Sequence, residues 1–409
     1  MKLLNSNATM TAMDATSITP ITVEHFEPTH RSLRIAVVTE TWPPEVNGVA
    51  VTLSKLIQHL GHRQHAIQLI RPRQNKQDAG HEETGWSELL LRGLPIPRYP
   101  QLKLGLPSKK ALIKAWSTRR PDLVHIATEG PLSWSALQAA QTLRLPVTSD
   151  FRTNFHSYCQ HYGVGWLTKP IVAYLRKFHN RTAFTMVPTQ DMKRQLEAMG
   201  FKNLKVVARG IDTQLFHPSK RSDVMRKSWQ VKPDTLVLLS VGRLAAEKNL
   251  ALTLQTYQAI KDTGRDVKMV FAGDGPMREA IQTKCPDALF VGMCTHEQLA
   301  TLYASADLLL FPSLTETFGN VTLESLACAT PVLAFNCAAA GEFITHQKNG
   351  WLVSCDAPQN YIQTALDISA DRSRLTQARE HARISVAHLG WDEIAGQVEQ
   401  IFERAIELN

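Results

Sequence analysis

The sequence predicts an α/β protein built from two doubly wound domains that face each other across a cleft. Three observations support this fold class. Short apolar segments typical of buried strands alternate with segments of helical periodicity, and this alternation occurs in each half of the chain. A chain of 409 residues, 44% of them hydrophobic, can also fill two ordinary cores. In such folds ligands bind beyond the carboxyl ends of the strands.

The first half opens with a strand, a helix and a second strand. The apolar run at 34–39 leads into a loop rich in Pro, Asn and Gly, a helix is expected from Ala50 to Leu60, and a strand from Ala66 to Leu69. This order is a βαβ unit. Further strands are predicted in "PDLVHIAT", "LPVTSDF" and "AFTMVPT". We therefore expect residues 31–209 to form a Rossmann-like domain, preceded by a mobile tail at 1–30.

The second half repeats the plan. Strand patterns in "TLVLLSV", "VKMVFAG", "ALFVG", "ADLLLF" and "TPVLAF" alternate with helical ones. The join is predicted at 206–218, where Gly210 and Pro218 interrupt the pattern. Residues 210–389 are therefore expected to form a second Rossmann-like domain. The last helix, 390–409, is a candidate to pack back on the first.

Composition narrows the functional classes. The chain has no apolar run near the ~18 residues of a membrane span, and its start does not resemble a secretory signal. Six cysteines without a CxxC pair argue against a disulfide framework or a zinc site. The net charge of +8 divides into +15 for residues 31–210 and −5 for 211–409, with −2 in the first thirty. No nucleic-acid-binding module accompanies the basic half, so nucleic acid is not an expected partner.

Three strand-to-helix loops of the second half carry side chains and amides suited to phosphate. "VGRLAAEKN" supplies Arg243 and Lys248, "AGDGP" supplies Gly273, and "TETFGN" precedes a helix. Amides at that helix start would favour phosphate oxygens; the residues concerned are Phe318, Gly319, Asn320 and Val321. The chain has no Asp-x-Asp pair, so we expect cations and amides, and no metal ion, to hold a diphosphate.

Two glutamates flank the same turn. Glu324, one turn into the helix, is placed to accept hydrogen bonds from ribose hydroxyls, and Glu316, on the loop, would lie nearer a sugar. Taken singly, each of these residues fits a solvated surface group, and Asn47 and Gly48 fit an ordinary turn as well as a phosphate contact. Together, in this order, they indicate a nucleotide sugar. A nicotinamide-dependent oxidoreductase is disfavoured because the first loop lacks GxGxxG.

The ordered motifs resemble the retaining GT-B glycosyltransferases of family 4. They are "PPEVNGVA" (43–50), "ARGID" (208–212), "VGRLAAEKN" (241–249), "GDGP" (273–276), "FVG" (290–292) and "ETFGNVTLE" (316–324). The resemblance covers nearly everything after residue 30. In the first half, "HIATEGPLSWSALQAA" and "VTSDFRTNFHSYCQHYG" look like the branch of bacterial lipid glucosyl-, sulfoquinovosyl- and mannosyltransferases.

The resemblance implies a role for each matching residue. Arg243 and Lys248 would bind the donor diphosphate, Glu324 the ribose and Glu316 the donor sugar. Backbone near Val291 and Gly292 would bind the base, and Gly48, beside Asn47, would let the first domain approach the phosphates. The acceptor-side candidates are Glu129, Arg152 and His156, and Arg152 stands where the family pattern "DFHTNF" has histidine.

The expected activity is transfer of a hexose from a UDP-sugar or GDP-mannose with retention of configuration, without a cofactor or metal. In the family's proposed front-face mechanism, the departing phosphate takes the acceptor's proton, so Glu316 positions the sugar and need not be a nucleophile. The expected acceptor is a membrane lipid such as diacylglycerol, and a soluble or polysaccharide-precursor acceptor is the alternative. A GT-B sugar-nucleotide epimerase and a non-catalytic nucleotide-sugar binding protein remain alternatives of another class.

A basic segment in the first half predicts an anionic membrane surface as a partner. Within 99–120, apolar and basic residues share one predicted helix; they are Leu112, Ile113, Trp116, Lys109, Lys110 and Lys114. An amphipathic basic segment suits a membrane interface, although a solvated helix covering its own sheet fits equally. We therefore expect a cytoplasmic protein, peripheral on the inner face of the membrane.

Overall fold

The computed structural model describes residues 31–43, 45, 48–96, 99–151, 168–313, 316 and 318–409, with the backbone alone at 96, 99–102 and 168. Leu33–Asn409 form one compact unit, which contains two large sheets. Within the described residues, no helix is both long and apolar enough to cross a membrane.

The first sheet has eight described strands in the order β10-β9-β8-β7-β1-β2-β4-β3. All neighbours are parallel except β3 and β4. The strands of this half are β1 (Arg34–Val38), β2 (Ala66–Pro72), β3 (Glu82–Glu83), β4 (Trp86–Leu91), β5 (Gly93–Ile96), β6 (Tyr99–Gly105), β7 (Leu123–Ile126), β8 (Val147–Asp150), β9 (Phe184–Val187) and β10 (Leu204–Val206). Strands β5 and β6 form a separate antiparallel hairpin. The helices are α1 (Gly48–His62), α2 (Lys109–Thr118), α3 (Pro131–Thr142), α4 (Thr168–His179) and α5 (Gln190–Ala198).

The second sheet has six described strands, all parallel, in the order β13-β12-β11-β14-β15-β16. They are β11 (Leu236–Val241), β12 (Val267–Ala272), β13 (Leu289–Gly292), β14 (Leu308–Phe311), β15 (Val332–Phe335) and β16 (Gly350–Val353). The helices are α6 (Asp223–Ser228), α7 (Leu250–Asp262), α8 (Arg278–Lys284), α9 (His296–Ser305), α10 (Asn320–Ala327), α11 (Ala338–Phe343), α12 (Asn360–Ala370), α13 (Arg372–Val386) and α14 (Trp391–Glu407). The predicted fold class, two doubly wound α/β halves, is confirmed.

The continuous apolar pattern of the strands follows from burial on both faces of each sheet. In β11, Leu236 and Leu238 pack into one core cluster, whereas Val237 and Leu239 pack into another on the opposite face. Helices therefore cover both faces of the sheet, and the loops at the carboxyl ends of the strands are left to form a site.

The C-terminal helix α14 packs against α1 of the first half. Glu399, 4% exposed, accepts hydrogen bonds from the Arg63 guanidinium, and its Oε1 lies 3.0 Å from Nε2 of His65. Trp391, the first residue of α14, lies against Gly210, where an added Cβ would come within 2.4 Å of the indole ring. The connection between the two sheets therefore passes too close to this helix for any side chain at position 210.

The carboxyl edges of the two sheets approach each other at two described points. The guanidinium of Arg209 lies near Gly48 at the start of α1 and donates to Asn320 Oδ1 at the start of α10 (3.4 Å). Elsewhere, the Gln190 N–H donates to the Glu342 carboxylate (3.1 Å), joining the start of α5 to α11. The site lies in the cleft between these edges.

The expectation that the apolar face of the 99–120 segment meets a membrane is wrong for helix α2. Leu112 and Trp116 are fully buried in the first half's core, and the Trp116 indole donates to Gln68 Oε1 (3.0 Å). Burial of these side chains against the protein's own sheet removes the same apolar surface from water that a membrane would. The three lysines of α2 remain exposed, together with Ala111, Ser117 and Thr118.

Candidate active site

Glycines hold together the loops that follow β11, β12 and β13. Gly273 has φ +126°, and an added Cβ would lie 2.0 Å from the carbonyl oxygen of Gly242. Its N–H donates to the Gly292 carbonyl (2.8 Å), and Gly292 itself has φ +73°. Side chains are strained in both conformations, and at Gly273 a side chain would also collide with backbone. The predicted donor residues Gly273 and Gly292 thus form one hydrogen-bonded floor, and Val291, within β13, is 38% exposed.

Lys248 and Glu316, predicted to bind diphosphate and sugar, contact each other directly. The Lys248 ammonium donates to Glu316 Oε1, and both side chains are largely enclosed. The ammonium also lies 5.7 Å from the centroid of the Phe311 ring, at the end of β14. Arg243 is placed differently: its side chain is 68% exposed and its guanidinium lies 3.9 Å from Glu247. The structure therefore joins two of the three predicted catalytic residues and leaves Arg243 at the rim.

Helix α10 begins at the cleft with a glycine cap. Gly319 has φ +88°, a conformation that favours glycine, and it leads into the helix at Asn320. Phe318, which precedes it, is 1% exposed and packs in the core. The Thr322 N–H donates to the Gly319 carbonyl (3.0 Å), and the amides of Asn320 and Val321 before it form the positive end of the helix. An anion in the cleft beside Glu316 and Lys248 would meet these donors.

Glu324 lies one turn further along α10. The Tyr303 hydroxyl, fully buried, donates to Glu324 Oε2 (2.9 Å). Burial raises the pKa of the Glu324 carboxyl, and this hydrogen bond opposes the rise. A cavity of about 240 Å³ beside it is lined by α1, the connection between the sheets, α9 and α10. Glu324 is thus a fixed acceptor next to a space bounded by both halves.

Arg209 was missed by the sequence reasoning as a site residue. It is 8% exposed and its guanidinium lies 5.4 Å from the Phe318 ring centroid. The motif "ARGID" marked the stretch but gave it no role. The sequence did place a basic residue, Arg209, within the predicted connection between the two domains, and this position could have indicated a role in the cleft.

On the opposite edge, the acceptor-side candidate Glu129 belongs to a buried polar network. Its Oε1 lies 3.4 Å from Nε2 of His179, whose Nδ1 lies 2.9 Å from the Ser149 hydroxyl. The Tyr174 hydroxyl donates to the Glu129 carbonyl (2.7 Å). The other two acceptor-side candidates, Arg152 and His156, and the donor-side candidate Asn47, lie outside the described residues.

A second carboxyl, Glu40, lies beside this network and was also missed. It follows β1, is 8% exposed, and its Oε1 accepts the Leu132 N–H at the start of α3 (3.1 Å). A Cβ on Gly130 would lie 2.0 Å from the carboxylate, so only glycine fits there. Burial raises the pKa of Glu40 to about 7, with a smaller contribution from the charge of Glu129.

Among the residues that the structure describes, no three His, Cys, Asp or Glu side chains are grouped to hold an ion. The sequence expectation that no metal is needed stays a prediction.

Two family models match the chain, one in each half. "Glycosyltransferase Family 4" matches residues 46–215, and "Glycosyl transferases group 1" matches residues 222–385. The two matches divide within the segment that connects the sheets.

Named relatives extend the match over almost the whole chain. A GDP-mannose-dependent alpha-mannosyltransferase of Mycobacterium tuberculosis is 30% identical over 383 residues, which cover 90% of this chain and 97% of that protein. An alpha-monoglucosyldiacylglycerol synthase of Streptococcus pneumoniae is 26% identical over 315 residues, 74% of this chain and 71% of that protein.

Among solved structures, a sucrose-phosphate synthase from Thermosynechococcus elongatus superposes with a TM-score of 0.72, over 92% of this chain and 100% of that one. Its sequence identity of 17% shows a shared fold alone. With the mannosyltransferase aligned across nearly its full length and a family model on each half, the chain belongs to the family 4 glycosyltransferases and has their GT-B fold.

Proposed function

We propose that this glycosyltransferase moves a hexose, with retention of configuration, from a nucleotide diphosphate sugar to a lipid acceptor. The observation that carries the proposal is the Lys248–Glu316 contact at the start of α10, with Glu324 one turn further on. A cation, helix amides and two carboxylates follow one another there along the path that phosphate, ribose and sugar would occupy.

GDP-mannose is the first donor to consider, because the mannosyltransferase that aligns over 90% of the chain is named for it. Lys248 and the amides of α10 would hold the diphosphate, and Arg243 would move in from the rim. Glu324 would accept hydrogen bonds from the ribose hydroxyls, and Glu316 from the sugar. On donor binding, Lys248 would then be shared between Glu316 and a phosphate.

The chemistry follows from where charge develops. Cleavage of the sugar–phosphate bond leaves an additional negative charge on the nucleoside diphosphate, and preorganised donors aimed at that charge are the largest source of catalysis in such sites. The departing phosphate oxygen would take the proton of the acceptor hydroxyl as that hydroxyl attacks from the same face. Retention is also what would turn an α-linked donor into the α-linked products for which both relatives are named.

The lipid acceptor is supported by the alpha-monoglucosyldiacylglycerol synthase among the relatives and by a surface of the first half. On the β5–β6 hairpin, Leu94 and Leu104 are 56% and 39% exposed. Exposed basic residues lie close to the hairpin in the sequence; they are Arg92, Lys109, Lys110 and Lys114. We define these six residues as the hairpin surface. Exposed apolar side chains together with exposed basic residues suit an anionic membrane interface.

Transfer is tested by incubating the protein with radiolabelled GDP-mannose or UDP-glucose and vesicles containing diacylglycerol. We expect nucleoside diphosphate release together with label in the lipid phase. Release that depends on a water-soluble acceptor would replace the lipid proposal. An isomerised nucleotide sugar with no transfer, or binding with no turnover, would overturn the assignment as a transferase.

Metal independence has its own test. Because cations and helix amides are present where the diphosphate would lie, we expect turnover to persist in excess chelator. Complete loss of turnover, restored by Mg²⁺ or Mn²⁺, would show that the phosphate charge is neutralised in another way.

Membrane docking is tested by sedimentation with anionic vesicles at low and high salt. We expect Leu94→Asp with Leu104→Asp to reduce the sedimented fraction, because two exposed apolar side chains of the hairpin surface would become acidic. Val224→Asp is the matched control, since Val224 is 78% exposed on α6 in the other half. Equal sedimentation of both variants would exclude the hairpin surface as the docking site.

A further inference from the structure

Arg209 lies at a point where the two halves of the described chain meet. It lies three residues beyond β10, on the segment that leads from the first sheet to the second. Its guanidinium faces the ring of Phe318 (5.4 Å to the centroid) and donates through Nη1 to Asn320 Oδ1 (3.4 Å). Both partners belong to the turn at the start of α10, the turn that also carries Glu316.

The first half reaches the same guanidinium. A methyl group added at Gly48, the first residue of α1, would come within 3.4 Å of Arg209 Nη1. The guanidinium therefore lies between the first residues of two helices, of 15 and 8 residues. The positive ends of both helices and the charge of Arg209 converge on one small region.

The contacts of Arg209 depend on the planar guanidinium, which lysine lacks. A planar guanidinium can lie over an aromatic ring while its edge donates several hydrogen bonds in fixed directions. Here the ring of Phe318 and the Asn320 amide restrain the plane of the guanidinium. A guanidinium held in this way, beside the first residues of two helices, is preorganised to bind an anion that enters the cleft.

We propose that Arg209 is a third phosphate-binding cation of the active site, which contacts the donor diphosphate from the side of the connecting segment and stabilises the charge on the departing nucleoside diphosphate. This role rests on the proposed transferase function. It means that the site is complete only when the first half, through Gly48 and α1, lies against the second. Phosphate binding would then favour the closed arrangement of the two halves.

The competing explanation is that Arg209 is only a structural link between the halves. The two explanations differ in what a substitution changes. A structural link would affect the unfolding temperature and leave kcat and nucleoside diphosphate affinity in the folded protein unchanged. A phosphate ligand would lower kcat more than it raises KM for the donor, because the charge is greatest after bond cleavage.

The experiment compares Arg209→Met and Arg209→Lys with Arg181→Met in the full-length protein. Arg181 is a matched control because its guanidinium also lies 5.4 Å from a ring centroid, that of Trp134, but away from the donor turn. The measurements are kcat, donor KM, the Kd of GDP by calorimetry, and the unfolding temperature. If the wild type turns over a UDP-sugar instead, UDP replaces GDP as the probe.

We expect Arg209→Met to lower kcat by about 100-fold, the scale of losing one donor to a developing oxyanion, and to weaken GDP binding by about tenfold. Arg209→Lys should recover part of kcat, and Arg181→Met should match the wild type. Unchanged kcat and GDP affinity in folded Arg209→Met would overturn the proposal and leave the transferase function intact. If Arg209→Met does not fold, the neutral variant Arg209→Gln takes its place, and unchanged kcat and GDP affinity in that folded variant would overturn the proposal equally. A wild-type protein without turnover of any donor would instead refute the proposed function.

Discussion

The two edges that form the cleft carry their polar groups in different ways. On the edge of the second sheet, the floor is formed by main chain, because Gly242, Gly273 and Gly292 are in contact through backbone atoms. A side chain at Gly273 would collide with the carbonyl of Gly242. On the edge of the first sheet, the polar groups are buried side chains, chiefly Glu40, Glu129 and His179, linked by spacings of 2.9 to 3.4 Å to their neighbours.

This difference explains why a phosphate-binding edge can be predicted from a single sequence and a buried polar network cannot. A diphosphate needs amides and cations at fixed spacing, and helix starts and glycines supply them in short contiguous motifs. A buried carboxyl–histidine network is assembled from strands and helices far apart in the chain. Its members look like ordinary core residues until the fold brings them together.

The strongest test of the comparison is Lys248→Ala. If the second edge serves the donor alone, this change should reduce slow donor hydrolysis without an acceptor and transfer to lipid by the same factor, about 100- to 1,000-fold, since a cation beside the leaving phosphate is lost. Nucleoside diphosphate release is measured with and without vesicles. Lys261→Ala is the control, because Lys261 is an exposed lysine paired with Asp287 (2.6 Å) in the same half.

Glu129→Gln completes this test from the other edge. An acceptor-side residue should affect transfer and leave hydrolysis in the absence of acceptor unchanged. Equal losses in both reactions for Glu129→Gln would mean that the division of labour between the two edges is wrong.

Much of the second edge could be predicted from the sequence, because its motifs are local. Lys248 and Glu316 are 68 positions apart, yet each follows a strand of one parallel sheet, so their loops had to meet at one edge. Arg243 fitted the same rule but lies at the rim, because strand order fixes the position of a loop and leaves the direction of a long side chain open.

The misses have physical causes of two kinds. Glu40 and Arg209 stand in loops whose neighbours are set by tertiary contacts, with α3 in one case and α10 in the other. In helix α2 the pattern itself was ambiguous, because an apolar face on a basic helix suits a membrane and a core equally. Leu112 and Trp116 are fully buried, so this apolar face packs into the protein's own core.

A second prediction concerns stability and the first edge. Burial holds the pKa of Glu40 at about 7, above its ordinary value of 4.5, with Glu129 and Tyr174 as its titratable neighbours. The folded state therefore binds a proton more tightly than the unfolded state. The stabilisation is complete below the unfolded pKa and is lost as pH rises through about 7, amounting to about 3 kcal/mol in the free energy of unfolding.

Glu40→Gln removes this proton-linked contribution. We expect the denaturant midpoint of the wild type to fall between pH 5 and pH 8 by more than that of the variant, because the variant has no carboxyl to ionise at this position. Glu342→Gln is the control, since Glu342 caps α5 on an exposed part of the cleft. Parallel pH profiles for wild type and Glu40→Gln would show that Glu40 is not a buried neutral acid.

The smallest expected effect concerns the hydroxyl that fixes Glu324. Tyr303→Phe leaves the carboxylate in place but removes the hydrogen bond that holds it and that lowers its pKa. One such bond to a charged group contributes roughly 1.5 kcal/mol, so donor KM should rise by about tenfold at neutral pH. In its proposed role Glu324 binds the ribose hydroxyls as a carboxylate, so the loss of donor affinity on acidification should begin at a higher pH in the variant. Tyr361→Phe is the matched control: its buried hydroxyl donates to the Leu333 carbonyl (2.7 Å) in the same half. That variant should lower the unfolding temperature and leave the pH dependence of KM unchanged. If Tyr303→Phe behaves in the same way as Tyr361→Phe, Tyr303 supports the fold alone. The position of Glu324 would then be set by the backbone of α10 and not by the Tyr303 hydroxyl.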